Sequence, residues 1–454
     1  MRDVREMVLR DVRCFEGVQR GILRPITLLV GENSTGKSTF LGCYSVLHRV
    51  LSEMDFVGRP DFNEEPFFLG SFRDIVRSRR GPSGRINRFQ LGFVTTPVRR
   101  GSQVPCRLLA TFAEQGSQPV VSSFRWQFDA ESFLEARRGA EGETILRIPN
   151  HEVETEIPFM NAVFLFDVLG EGELLLRRWD TGTKPIVDYL EGLLDNQAES
   201  RRARSTRGLE LWPHLPDLIP VAPLRSKPKR TYDPVRETAS PDGEHIPMLM
   251  MRLDHTAKSH WDALHGNLVE FGRQSGLFSD IKVKRHGKQM SDPFQLQVKV
   301  RSGSHANIMD VGYGVSQSLP ILVDVMAAEE PGRRSGSFRR GRGGRVFLLQ
   351  QPEVHLHPRG QAELASLFVE SFKRRGNHFL IETHSDYIID RVRISVRKGI
   401  LKPDEVSMIY FEPKGNAVKI HNMTLDKEGN LRGAPEEYRE FFARETDQLL
   451  GFSE

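Results

Sequence analysis

The stretch Gly31-Glu32-Asn33-Ser34-Thr35-Gly36-Lys37-Ser38 fits the phosphate-loop pattern G-x-x-x-x-G-K-[ST] in full. Its surroundings suit that reading. Ile26-Thr27-Leu28-Leu29-Val30 is an apolar run of strand length, and Thr39 onward can continue as a helix. A loop between a strand and a helix N-terminus gathers backbone N–H groups and the positive end of the helix dipole around an anion. Gly31 and Gly36 permit backbone conformations that a Cβ disfavours. Lys37 is placed to reach the β- and γ-phosphates of ATP, and the Ser38 hydroxyl to ligate Mg²⁺. The plain alternative is a strand–helix turn that holds no ligand.

At 454 residues the chain is too long for one simple core. Its 38% hydrophobic and 27% charged residues are a globular balance. The charged start, Met1-Arg2-Asp3-Val4-Arg5-Glu6, argues against a secretory signal. No apolar run approaches the ~20 residues that span a bilayer, so no membrane coupling is expected. Cys14, Cys43 and Cys106 are scattered without metal spacing, which suits a reducing, cytoplasmic setting. The net charge of +4 is too slight to imply nucleic acid by itself.

Three domains are expected. Residues 1–155 form an N-terminal lobe with the phosphate loop and an antiparallel sheet, read from short alternating segments between Phe89 and Ile148. Residues 156–292 form a mainly helical insert, in which residues from about His245 to Phe278 read as helical. Residues 293–454 form a C-terminal lobe. There Val346-Phe347-Leu348-Leu349 is an apolar strand ending in Gln350-Gln351-Pro352-Glu353, and Pro358 suits the first turn of a helix to Arg374. His378-Phe379-Leu380-Ile381 is a second buried strand, ending in Glu382-Thr383-His384-Ser385. Ahead of both lies Asp310-Val311-Gly312-Tyr313-Gly314-Val315-Ser316-Gln317, expected to lead into a helix from Ser318 to Glu329 with Pro320 in its first turn. Gly312 to Ser316 can be a second anion cradle or an ordinary helix cap. His384 can hydrogen-bond a γ-phosphate or be a plain strand-end histidine. His355 and His357 lack a third ligand for zinc.

In this order the pieces resemble the ABC-type ATPases of the RecF, SMC and OLD group, and most of all the stand-alone AAA-family ATPases of bacterial anti-phage systems. The resemblance covers residues 1–50 and about 295–454. Phe68-Leu69-Gly70-Ser71-Phe72-Arg73-Asp74-Ile75 and the segment from Pro223 to Tyr232 also look like parts of this group. It implies an α/β fold, an ABC-type P-loop ATPase head with a mixed-sheet lobe and a parallel-sheet lobe. It further implies a head-to-tail homodimer or higher oligomer. Gly31 to Thr39 of one copy would hold ATP and Mg²⁺, while Gly314, Ser316 and Gln317 of another reach the same triphosphate. His384 would read the γ-phosphate.

The chain departs from its family at the strand end. The resemblance puts the Mg²⁺-associated acid at position 350 and the water-activating acid at or beside 351, yet both are glutamine. Glutamine is a weaker oxygen ligand for Mg²⁺ and cannot take a proton from water at neutral pH. It can still orient a water. Glu353 is the nearest substitute. ATP is thus expected to bind and turn over very slowly. Either the chain is a naturally slow ATPase that uses ATP as a clamp, or a single Glu→Gln exchange traps ATP uncleaved.

Arg333, Arg334, Arg339, Arg340, Arg342 and Arg345 share a Gly/Ser-rich connection between the signature helix and the Gln350 strand. It reads equally as a DNA or RNA backbone contact and as a solvated linker. Arg225, Lys227, Lys229 and Arg230 sit in a Pro-bounded stretch and read as structural. No nuclease constellation is visible, so a nuclease in this system would be a separate effector protein. The rival function is a RecF-like genome-maintenance ATPase that closes on DNA.

Overall fold

The structure, a computed structural model, describes residues 4–52, 60–78, 86–95, 105–129, 131–159, 215–234, 239–300, 303–327 and 344–436, with 162, 184–186, 188–189 and 438 as isolated positions. The Arg333–Arg342 segment lies outside the described residues. The chain divides into two compact units. One comprises Met1–Leu23, Ser34–Leu215 and Glu412–Ile420, and the other Arg24–Asn33, Pro216–Phe411 and His421–Glu454.

The first unit opens with the hairpin of β1 (Val4–Val12) and β2 (Phe15–Ile22). The chain next runs through β3 (Ile26–Gly31) of the second unit and into α1 (Lys37–Ser52) of the first. Then follow β4 (Arg88–Thr95), β5 (Cys106–Gln115), β6 (Gln118–Gln127), β7 (Phe133–Arg138), β8 (Thr144–Ile148) and β9 (His151–Thr155). They pair antiparallel in the order β2-β1-β4-β5-β6-β7-β8-β9. Alternation decides the faces: in β8, Thr144, Leu146 and Ile148 are buried while Arg147 is exposed. Gly116 and Ser117, both at positive φ, make the tight β5–β6 turn. Phe89 stacks on Phe112 at 4.9 Å, with Phe62 edge-on to both, and all three rings are buried.

The second unit adds β10 (Leu218–Val221), helices α2 (Ile246–Thr256) and α3 (Lys258–Ser275), and the small antiparallel sheet β11 (Asp280–Arg285), β12 (Phe294–Lys299) and β13 (His305–Asn307). Helix α4 (Tyr313–Ala327), β14 (Val346–Gln350), α5 (Pro358–Arg375), β15 (His378–Glu382) and α6 (Asp386–Arg397) follow. The C-terminal hairpin is β16 (Val406–Lys414) and β17 (Ala417–Leu425). A parallel sheet runs β10-β14-β15-β3-β16. Its strands are apolar almost throughout, and all five residues of β14 are buried.

The stretch from about His245 to Phe278 is helical as expected, in two helices, α2 and α3, parted at Ala257 (φ −137, ψ 62). One helical expectation is corrected. The signature helix starts at Tyr313 rather than Ser318, so Pro320 lies inside it. Gly243 packs against that proline, and a Cβ on Gly243 would stand 2.4 Å from the Pro320 Cβ. No helix among the described residues is long and apolar enough to cross a membrane.

Candidate functional site

Parallel strands bring their C-terminal ends to one edge, and that edge collects most of the residues singled out by sequence. In the second unit Gln350 is in register with Glu382, and Glu382 with Leu29. The ends of β14, β15 and β3 therefore lie side by side, so Gln350, Thr383 and Gly31 share an edge. Thr383 N–H donates to the Leu29 carbonyl at 3.2 Å, which continues the ladder past the last paired residue.

The phosphate loop leaves β3 at Gly31, whose φ of +146 turns the chain off the sheet. Glu32, Asn33, Ser34 and Ser38 are exposed, whereas Thr35, Lys37 and Thr39 are buried. Ser34 sits at φ +63 and Gly36 at φ +87. A Cβ on Gly36 would stand 2.6 Å from Cys14 Sγ and 2.8 Å from Phe15 Cζ, so the loop closes only with glycine there. The first helical bond of α1 runs from Phe40 N–H to the Gly36 carbonyl at 2.9 Å. These features make a backbone cradle at a helix N-terminus, which fits a polyphosphate. Arg13 braces it from below. Its guanidinium donates to Thr39 Oγ1 at 3.1 Å, to the Leu69 carbonyl at 2.7 Å and to the Asp74 carbonyl at 3.2 Å. Neither Arg13 nor Cys14 stood out in the sequence, since nothing local announces that the β1–β2 turn underlies residues 35–39.

The strand end is built from neutral and orphaned groups. Gln350 is 7% exposed, and its Oε1 has no hydrogen-bond partner. That oxygen fits a weak cation or water ligand, not the charged pair usual for Mg²⁺. Gln351 adopts φ +43, which lifts it out of the strand, and its N–H donates to the Glu382 carbonyl at 2.8 Å. Strain of this kind collects at functional turns. Glu353 is buried, and its Oε1 accepts the His384 N–H at 2.8 Å while Oε2 has no partner. Burial pushes the Glu353 carboxyl above its ordinary range, against the opposing pull of the His384 N–H, the Thr383 hydroxyl and Arg225. A carboxyl of raised pKa is a better base once ionised. His384 itself is exposed, just before the Ser385 cap that opens α6.

Arg225 completes this edge. It is 5% exposed, and burial draws its guanidinium down to about 10, a value at which it still carries charge. Nη2 donates to the carbonyls of Gln350 and Gln351 at 3.5 and 3.4 Å. The Pro-bounded segment was read as structural; its position under the strand end needed the fold.

The signature residues are placed together nearby in the same unit. Gly314 is required by close approach, because a Cβ there would meet the His355 carbonyl at 2.8 Å. Tyr313 packs its ring 5.7 Å from that of His355, which holds φ +67. His357 caps α5 by accepting the Arg359 N–H. Ser316 Oγ donates to the Tyr313 carbonyl at 3.1 Å and lines a cleft of about 290 Å³ with Ser226, Lys227 and Tyr232. Gln317 is buried, and its carboxamide pairs both ways with the Arg225 backbone, at 3.3 and 3.4 Å.

Residues 259–390 match the family described as "AAA domain, putative AbiEii toxin, Type IV TA system". This span runs from α3 to α6 and holds the signature, strand-end and His384 elements. No functionally curated protein matches the chain. Among solved structures, an SMC head bound to the C-terminal winged-helix domain of ScpA aligns at 12% identity and TM-score 0.44, over 93% of this chain and 98% of that one. The SMC head domain from Thermotoga maritima aligns at 10% identity and TM-score 0.36, over 92% and 97%. A third, from Pyrococcus yayanosii with a coiled coil and joint, aligns at 9% identity and TM-score 0.39, over 94% and 98%.

Proposed function

We propose that this chain, an ABC-type AAA ATPase of the RecF/SMC group, binds ATP as a clamp and cleaves it slowly. The observation that carries this reading is the shared strand edge. The strand that leads into the phosphate loop is separated from the Gln350 strand by β15 alone, and neither Gln350 nor Gln351 is an acid. Gly31 to Thr39 hold the polyphosphate through backbone N–H groups and Lys37. Ser38 and Gln350 hold Mg²⁺, which when bound neutralises phosphate charge. Gln351 orients a water, and Glu353, two residues further on, accepts its proton.

The rest of the reading follows from what ATP can do when it is not promptly cleaved. A bound nucleotide biases an assembly only by favouring one state over another. A cradle on one copy and the Gly314, Ser316 and Gln317 turn on another supply such a difference in a head-to-tail dimer or higher oligomer. That assembly, in the cytoplasm, controls a separate effector, a nuclease, in anti-phage defence. Support comes from the matched family's description, which names a toxin–antitoxin system.

Mg-ATP titration by calorimetry, paired with phosphate release, tests the core of this reading. Binding with turnover below ~1 s⁻¹ is expected, under the ordinary enzyme range. Gln350→Glu or Gln351→Glu raises turnover. Wild-type turnover at ordinary enzyme rates overturns it. Co-expression with the neighbouring gene, with the complex weighed with and without ATP, tests the effector. Salt-sensitive DNA binding by the isolated chain would instead favour the genome-maintenance role.

A further inference from the structure

Arg225 belongs to neither the phosphate-loop motif nor the strand-end motif, yet it touches two elements far apart in sequence. Its backbone is held by Gln317, the residue after Ser316 in the signature helix. Its guanidinium reaches the carbonyls of Gln350 and Gln351. Each of these four bonds is long, between 3.3 and 3.5 Å, and weak by itself. Their weight comes from burial: Arg225, Gln317 and Gln350 are all under 8% exposed, so water does not replace a lost partner.

The cluster is also incomplete. Arg225 Nε and Nη1, Gln350 Oε1 and Glu353 Oε2 all lie buried without a partner. Leaving such groups unpaired is unfavourable, most of all when they are charged. Here two unused donors sit in the electrostatic reach of an unused carboxylate oxygen.

Resting on the ATP-clamp reading, we propose that Arg225 is a positioning residue that couples the Ser316 turn to the Gln350 strand end of the same subunit. When nucleotide occupies the strand edge, the unused Arg225 donors move onto Glu353, and the Gln317 clamp carries the shift to Ser316. ATP on a subunit's own loop thereby tunes how well that subunit grips its partner's triphosphate. Sequence distance hides this link, since Gln317 and Gln350 lie 92 and 125 positions from Arg225.

The test uses the full chain and Mg-ATP. Binding is read by calorimetry, and self-association by sedimentation at rising Mg-ATP. Arg225→Lys keeps the charge and loses the forked donor geometry. It is expected to raise the ATP concentration at half-assembly by about tenfold. Its calorimetric affinity for ATP should move by less than about twofold. Gln317→Ala should raise the half-assembly point likewise, and the double variant should go no further than either single, as two parts of one link do. Additive shifts, or a parallel fall of affinity and assembly in R225K, overturn the coupling. Should R225K fail to fold, an unchanged half-assembly point in Q317A overturns it alone. A wild-type chain that binds ATP without assembling ends the clamp reading and the coupling together. A wild type that assembles, with variants that match it, ends the coupling only.

Discussion

The phosphate loop and the strand end beside it are made from opposite materials. The loop is backbone, shaped by glycine, with the Lys37 side chain buried in it. Gly36 leaves no room for a Cβ, and Arg13 holds the following helix turn in place. The strand end is side chains, and several of them lack partners: Gln350 Oε1, Glu353 Oε2 and two Arg225 nitrogens. A preorganised cradle binds with little rearrangement. A set of buried, unsatisfied groups has reason to rearrange. The contrast assigns grip to the first region and response to the second.

Removing the cation of the first region should give the largest effect. Lys37→Ala should weaken ATP binding by about 100-fold or more, near 2.7 kcal/mol, in a calorimetric titration. Gln350→Leu should weaken it far less, and equal losses would break the contrast. Next in size is restoration of an acid. Gln351→Glu should raise phosphate release by about tenfold or more, since a positioned base is worth 10² to 10⁴ in rate. An unchanged rate would mean that Glu353, rather than position 351, sets the chemistry. Gly36→Ala sharpens the account of the loop. The new methyl meets Cys14 Sγ and Phe15 at a φ of +87, and strain of about 1–3 kcal/mol should appear as a lower Tm with weakened ATP binding.

The smallest expected effect is one of pH. Burial raises the Glu353 carboxyl, so the folded state holds that proton more tightly than the unfolded state. Its contribution to stability is present in full below the ordinary carboxylate range and is lost as pH rises through the raised value. Glu353→Gln lacks this loss. The Tm advantage of E353Q over wild type should therefore be absent at acid pH and grow to about 2 °C at pH 8. An advantage that shrinks with rising pH would show that Arg225 already pairs with the ionised carboxylate.

How far the sequence reached depended on whether a feature was local. Gly31 to Ser38, the apolar strands 26–30, 346–349 and 378–381, and the alternating strands between Phe89 and Ile148 could be read directly, because phosphate-loop geometry and two-residue periodicity involve near neighbours. That positions 350 and 351 are both glutamine is plain in the chain, whereas the expectation of acids there came from the resemblance and not from any local pattern. The break at Ala257 within the helical stretch and the early start of α4 at Tyr313 left no such local trace, because helix ends depend on surroundings beyond near neighbours. Glu353 bonding the His384 backbone, Gly314 lying against His355, and Arg225 joining Gln317 to the strand end were settled only in three dimensions. A hydrogen bond between residues 92 or 125 positions apart leaves no periodic trace in the chain, and only the closed fold supplies the burial that gives it weight.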